Sequence, residues 1–233
     1  MKHANMNWNN DHKVATYRES IPLKIPAYHT LHTMMSSFLT AGINEKEPGI
    51  LIVGGGGGKE LDVLAKRHSH WHYTIVDPSN RMLELAARVK EQLPFPHSVT
   101  LCHGDLSTVP YERLYSAITC LLVAHFIENE KKPAFLQDMY RRLKPGGMLV
   151  ITTMNDLENH PSRLVYENAW LDFMELKGCC SGQWNTFKSS FGKTTHLMAS
   201  DTFEQLLTTT GFQPPTRFFS SFLIDGWIAF KEA

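Results

Sequence analysis

Little in this chain points to a membrane, a polyanion or an oxidising compartment. Among 233 residues the 23 Lys and Arg are matched by 23 Asp and Glu, so no general pull toward nucleic acid or an anionic surface is expected, and a small molecule is the default partner. No apolar run approaches the ~20 residues that would span a bilayer. The opening stretch MKHANMNWNNDHK lacks the apolar core of a secretory signal. Cysteine is scarce: Cys102, Cys120, Cys179 and Cys180 show no C-x-x-C spacing, and the vicinal pair cannot close an ordinary unstrained bridge. Reduced thiols in a cytoplasm are therefore expected, with no metal-ligand set. The length suits one α/β domain, residues 1–233, with enough chain to bury a core.

Glycine is abundant in one place. An apolar run, Ile50-Leu51-Ile52-Val53, enters five consecutive glycines, Gly54 to Gly58, and the pattern turns helical at Lys59-Glu60-Leu61. Backbone can lie against a nucleotide only where no side chain intervenes, and glycine supplies that access together with freedom in φ. Two common spacings are absent. A phosphate-binding P-loop would need glycine at Val53 and Ser or Thr at Glu60, and G-x-G-x-x-G would put its third glycine on Lys59 or Glu60. G-x-G-x-G fits, at Gly54, Gly56 and Gly58. A flexible linker is the alternative, but linkers are not bracketed by a buried-type strand and an amphipathic helix.

Strand and helix signals alternate along the rest. Tyr28, Leu31, Met34, Met35 and Phe38 recur at helical spacing, which predicts a helix inside a helical N-terminal segment, residues 1–45, packed on the domain or lidding its cleft. Strands are predicted at 49–53, 71–76, 99–102, 117–123 and 148–152, the last preceded by a helix from about 132 to 143 that stops at Lys144-Pro145-Gly146-Gly147. Residues 156–200 are rich in aromatics and weakly periodic, and are expected to form a substrate-facing insertion; 218–220 and 226–230 read as a final β-hairpin. The expected fold is α/β: a Rossmann-like doubly wound sheet, mainly parallel, with a C-terminal antiparallel hairpin and an N-terminal helical lid.

The glycine spacing resembles motif I of the class I S-adenosylmethionine (SAM) dependent methyltransferases. Val76-Asp77-Pro78-Ser79 with Met82-Leu83 is similar to motif II of that family, Gly104-Asp105-Leu106 to motif III, and Leu143 to Leu149 to its Pro-Gly-Gly turn before strand five. Four motifs in order, over about residues 17–231, are far more specific than any one alone. The resemblance implies SAM as cofactor, cradled by Gly54, Gly55, Gly56 and Gly58. It further implies that Asp77, beside Pro78, accepts from the ribose hydroxyls, that Met82 packs on adenine, and that Val123 borders the site after strand four. Asp105 would accept from the adenine amino group and Leu106 donate its backbone N–H. Structural readings compete at three of these: a helix N-cap for Asp77, a turn aspartate for Asp105 and a core residue for Met82. One position departs from the family, which has an acid where Ile52 stands. Glu60, in the first helical turn after the glycines, is the nearest candidate to meet the SAM ammonium, and the helix dipole favours a carboxylate there; a solvated first-turn acid is the competing reading.

Methyl transfer from a sulfonium asks mainly for alignment and exclusion of water. Where the nucleophile carries a proton, His125, directly after strand four, is the candidate base, with Tyr17 as a second catalytic candidate. The chain has 12 histidines, and an ordinary core or surface role is the alternative for His125. Tyr28, Trp170 and Trp184 are expected to line the acceptor pocket. Ile25-Pro26-Ala27-Tyr28, the segment after strand four and the run from Gly226 to Lys231 are most similar to the carboxy-SAM synthase branch. The arginine with which that branch holds its extra carboxylate falls on or near Lys188, a point charge in place of a fork. The expected function is methyl transfer from SAM to N or O of a small molecule. A SAM-consuming enzyme without an external acceptor and a non-catalytic SAM-binding protein are the alternatives; the oligomeric state stays open, a homodimer included.

Overall fold

A computed structural model describes Val14 and residues 16–158 and 160–233; residues 1–13 of the expected N-terminal segment lie outside the described residues. Seven strands make one sheet: β1 (Gly49–Val53), β2 (His72–Asp77), β3 (Val99–His103), β4 (Tyr115–Cys120), β5 (Leu143–Met154), β6 (Thr216–Ser221) and β7 (Ile224–Phe230). Their order is β3-β2-β1-β4-β5-β7-β6. The first five are parallel, and β7 runs antiparallel to both β5 and β6. Between β1 and β4 the strand order reverses, which opens a crevice beyond the carboxyl ends of the strands, where open α/β sheets bind ligands. The central strands read as unbroken apolar runs because helices cover both faces.

The α-helices that lie in full among the described residues are α1 (Tyr17–Lys24), α2 (Tyr28–Gly42), α3 (Lys59–Ala65), α4 (Asn80–Glu91), α5 (Lys132–Arg142), α6 (Arg163–Leu176), α7 (Ser181–Lys188) and α8 (Ser200–Thr210). On one face of the sheet, Leu31, Met35 and Leu39 of α2 and Leu61 and Leu64 of α3 pack with Ile50, Ile52 and Ile75. On the other, Leu136 and Met139 of α5 and Phe203 and Leu207 of α8 pack with Leu51, Ile118 and Leu149. Pro26 separates α1 from α2: it forces Ile25 into extended backbone at φ −103°, ψ 113°, and Ala27 then turns the chain at φ 53°.

Two segments differ from the expectation. The Pro-Gly-Gly turn is drawn into β5, where Leu143 pairs with Tyr115 across a bulge between Tyr115 and Ala117. The 156–200 region carries two helices, α6 and α7. Its pattern is blurred because α6 is apolar on opposite sides: Trp170 and Met174 are buried, while Leu164, Val165 and Leu176 face solvent. Trp170 lies 5.6 Å from Trp184 and 5.3 Å from Phe187, centroid to centroid. Its Nε1 donates to Lys24 O at 2.8 Å, tying α6 to α1. Among the described residues no helix is long and apolar enough to cross a membrane.

Trp170→Ala removes one of the two tryptophans of this cluster together with that hydrogen bond. It is expected to lower stability by about 3–5 kcal/mol in chemical denaturation, against less than about 0.5 kcal/mol for Leu164→Ser on the exposed side of the same helix.

Candidate functional site

The glycines shape the crevice. Gly54 N–H donates to Val76 O at 2.8 Å, extending the β1–β2 ladder by one bond, and Gly58 N–H closes a turn onto Gly55 O at 2.9 Å. Gly54 and Gly58 both sit at φ 71°, in the left-handed region that other residues rarely adopt. Between them Gly56 N–H donates to Asp77 Oδ2 at 3.0 Å. A β-carbon on Gly56 would stand 2.6 Å from Asp77 Oδ2 and 2.5 Å from Met82 Cβ, and one on Gly57 would stand 2.8 Å from Tyr17 Cε1. Added carbons on Gly54 and Gly55 would collide with Val123 and Ile52. Each glycine thus abuts a different neighbour, which a linker does not do.

Asp77 closes β2 and is buried. Its Oδ1 accepts from Ser79 N–H at 2.8 Å, while Ser79 Oγ accepts from Met82 N–H at 3.1 Å and is the true cap of α4. The capping role open to Asp77 is therefore filled by its neighbour. Burial pushes the Asp77 carboxyl up, and the Ser79 and Gly56 N–H groups partly offset this.

Glu60 is also buried, at 6% exposure, although it stands in the first turn of a short helix. Thr119 Oγ1 donates to Glu60 Oε1 at 3.3 Å, and Thr119 is the register partner of Ile52 across the β1–β4 pair. The Glu60 carboxyl is thereby delivered one strand away from the position where the family carries its acid. Burial pushes it up to about 8, with the Thr119 hydrogen bond opposing the rise. The hydroxyls of Tyr17 and Tyr28 are raised by burial and, further, by the charge of Glu60. Among the described residues neither Glu60 nor Asp77 forms an ion pair; the favourable charge felt at Asp77 comes from His103. Two buried acids, two phenols and a row of bare backbone make a site suited to a cation attached to a nucleoside.

Beyond β4 the chain is held in an unusual shape. Leu122, not a glycine, sits at φ 58°, and its N–H donates to Thr152 Oγ1 at 2.7 Å. His125 is buried, its Nδ1 without a hydrogen-bond partner among the described residues, and burial, aided by Lys132, pushes its imidazole down to about 3. It is neutral at pH 7. Lys132, lowered to about 8 by burial, donates from Nζ to Asn129 Oδ1 and to His196 O, each at 2.6 Å. His196 N–H in turn meets His125 O at 2.6 Å, so the segment after β4 is stapled to residues 196–197.

The other expected site residues scatter. Met82 is buried with Val14, Leu85 and Tyr17. Asp105 is exposed and its Oδ1 accepts from Ser107 N–H at 2.9 Å, a turn geometry, while Leu106 is buried and Pro78 exposed. Tyr28 is buried against α2's own His32. Trp170 and Trp184 are core residues, and Lys188 Nζ is paired with Glu167 Oε2 at 2.7 Å. A groove of about 480 Å³ lined by Asp62, Ala65, Lys66 and Pro94, among others, lies at the opposite end of the strands. Thr119, Leu122 and Thr152 were not anticipated; the threonine inside the apolar run Ala117 to Leu122 was the available signal for the first.

Sheet order, glycine cradle at the reversal point and an acid ending β2 define a nucleotide-binding α/β protein of the methyltransferase type. Residues 50–147 match the family model described as a methyltransferase domain. A carboxy-S-adenosyl-L-methionine synthase from Hydrogenovibrio crunogenus is 24% identical over 95% of this chain and 88% of its own length; one from Salmonella paratyphi C is 23% identical over 96% and 91%. Among solved structures, magnesium protoporphyrin IX methyltransferase from Synechocystis PCC 6803, with bound SAH, superposes with TM-score 0.63 at 15% identity over 88% of this chain and 84% of that one. A putative O-methyltransferase from Nostoc punctiforme gives TM-score 0.67 at 12% identity over 95% of this chain and 59% of its own. Residues 50–147 thus carry a methyltransferase domain, the fold is that of SAM-dependent methyltransferases, and SAM is the cofactor that these similarities support.

Raising Glu60 from its ordinary 4.5 to about 8 means that the folded, ligand-free protein favours the protonated acid. Its contribution to stability is complete below the ordinary value and is lost as pH rises through about 8. Urea midpoints of the ligand-free protein are therefore expected to fall between pH 5 and pH 8, and Glu60→Gln should flatten that fall.

Proposed function

We propose that this protein transfers the methyl group of SAM to a nitrogen or oxygen of a small molecule. The observation that carries the reading is the pair of buried carboxyls, Glu60 and Asp77, without an ion-pair partner among the described residues and set on either side of the glycine cradle. When bound, SAM supplies an activated sulfonium methyl. The chain's part is to hold, orient and dehydrate. Asp77 accepts from the ribose hydroxyls; Gly54, Gly55, Gly56 and Gly58 offer bare backbone; Met82, Asp105 and Leu106 receive the adenine, and Val123 borders the methionyl arm. Glu60 meets the ammonium in place of the missing acid at Ile52, giving up its proton as the cation arrives. Tyr17, against Gly57, excludes water. His125, neutral at physiological pH, can take a proton from an N–H or O–H nucleophile. Tyr28 lines the acceptor side, with α6 and α7 as its outer wall. The proposal takes residues 1–233 as one domain acting in the cytoplasm.

A second reading, carboxyl transfer to SAM without methylation, is favoured by similarity to carboxy-SAM synthases along nearly the whole chain. The residue that would grip the carboxylate weighs against it, because Lys188 is already paired with Glu167, which Arg163 Nε also holds at 3.0 Å. Incubation with labelled SAM separates the readings. S-adenosylhomocysteine (SAH) released only when a pool of amine- and hydroxyl-bearing metabolites is added supports methyl transfer. Consumption of SAM without SAH release, when a pool of carboxylic acids able to donate a carboxyl group is added in place of methyl acceptors, supports the second reading, and binding without consumption under either condition leaves a non-catalytic protein.

Asp77→Ala should weaken SAM by about 1.5–3 kcal/mol, the worth of a charge-assisted pair, in calorimetric titration. Gly56→Val should abolish binding by driving a side chain into Asp77 and Met82. For Glu60, SAM affinity in the parent is expected to rise from pH 6 to pH 8 as the proton becomes easier to expel. Glu60→Gln should lose that rise and weaken SAM more than adenosine; equal losses for both ligands would remove Glu60 from the ammonium site.

A further inference from the structure

Arg142, the last residue of α5, has no exposed surface. A buried guanidinium is tolerated only when its donors are satisfied, and here most of them are spent on one stretch of backbone. Nη2 donates to Leu106 O at 2.7 Å, and Nη1 to Val109 O and to Pro110 O. Nε donates to Asp138 Oδ1 at 3.1 Å, the Tyr111 hydroxyl donates to the same oxygen at 2.7 Å, and the Tyr111 ring covers the guanidinium at 3.9 Å. All three carbonyls belong to the segment that follows Asp105. That segment begins beside the ribose acid, where Gly104 N–H donates to Asp77 O at 3.0 Å. The buried Leu106 packs in the same cluster as Val53 and Val76, the ends of β1 and β2.

We infer that Arg142 is a positioning residue for base recognition: by clamping the carbonyls of 106–110 it fixes the edge that Asp105 and Leu106 present to the purine, and so sets the preference for a 6-amino over a 6-oxo ring. The inference rests on the reading of the cofactor site proposed above. A planar fork is required, since three divergent carbonyls cannot be met by one ammonium without shifting the loop. The 6-amino group donates to a carboxylate, whereas a 6-oxo group cannot, so the position of Asp105 is read out as a ratio of two affinities.

The test titrates SAH and S-inosylhomocysteine, which differ at that group, into the parent, Arg142→Met, Arg142→Lys and Asp138→Ala, with thermal unfolding as the check on folding. The parent should prefer the amino ligand. Arg142→Met should shrink the ratio by about tenfold, the loss of one charge-assisted hydrogen bond, with Arg142→Lys in between. A purely structural role would weaken both ligands together and leave the ratio unchanged, which would overturn the inference. If Arg142→Met does not fold, Asp138→Ala decides: it loosens Nε and Tyr111 only, and a smaller drop in the ratio supports the clamp while an unaltered ratio removes it. A parent that binds SAH without discriminating overturns the role of the loop but leaves the cofactor reading standing. A parent that binds neither ligand overturns both.

Discussion

Gly56 N–H reaches Asp77 Oδ2 at 3.0 Å because only hydrogen stands on the glycine's α-carbon, and on this approach of two strand ends the rest of the site depends. It brings the acid of β2 under the loop of β1, sets the first turn of α3 against β4, and leaves room for Ser79 to cap α4. Neighbouring parallel strands would otherwise end side by side with their loops splayed. The run of glycines is what lets backbone occupy the space that side chains fill elsewhere in the sheet.

The same closeness has an electrostatic consequence. Glu60 and Asp77 are both removed from water, near two phenols, with no ion pair to either among the described residues. Such an arrangement opposes folding and favours a cationic ligand, a trade common where local stability is given up for binding. Across the crevice the conditions are reversed: His125 and Lys132 are cations in principle but are driven toward neutrality by burial. One wall can thus attract a cation, while on the other burial disfavours the charged forms of His125 and Lys132, and both properties come from desolvation.

Much of the fold was legible because its signals are local. The run into Gly54, the acid at Asp77 and the Pro-Gly-Gly turn at 145–147 are each contiguous, and strand–helix alternation follows from periodicity within single elements. The final hairpin was readable for the same reason. Helices α6 and α7 were not, since Leu164, Val165 and Leu176 put apolar side chains on the solvent face and removed the contrast on which periodicity relies. Trp170 and Trp184 had the composition of pocket residues, yet packing against Phe187 and the bond to Lys24 O made them core.

The sequence by itself determined the α/β sheet and the class of cofactor, because both depend on short contiguous patterns whose geometry the backbone enforces. Only the tertiary structure decided which charged groups are buried or exposed and which partners they meet. Glu60 could be solvated or buried until Thr119 met it from β4; Lys188 could reach a ligand until Glu167 claimed it from α6; Arg142 could face water until the 106–110 carbonyls enclosed it. Each outcome is set by a partner more than twenty residues away in sequence, and the desolvation that fixes a charge is a property of the packed surroundings, which no local pattern encodes.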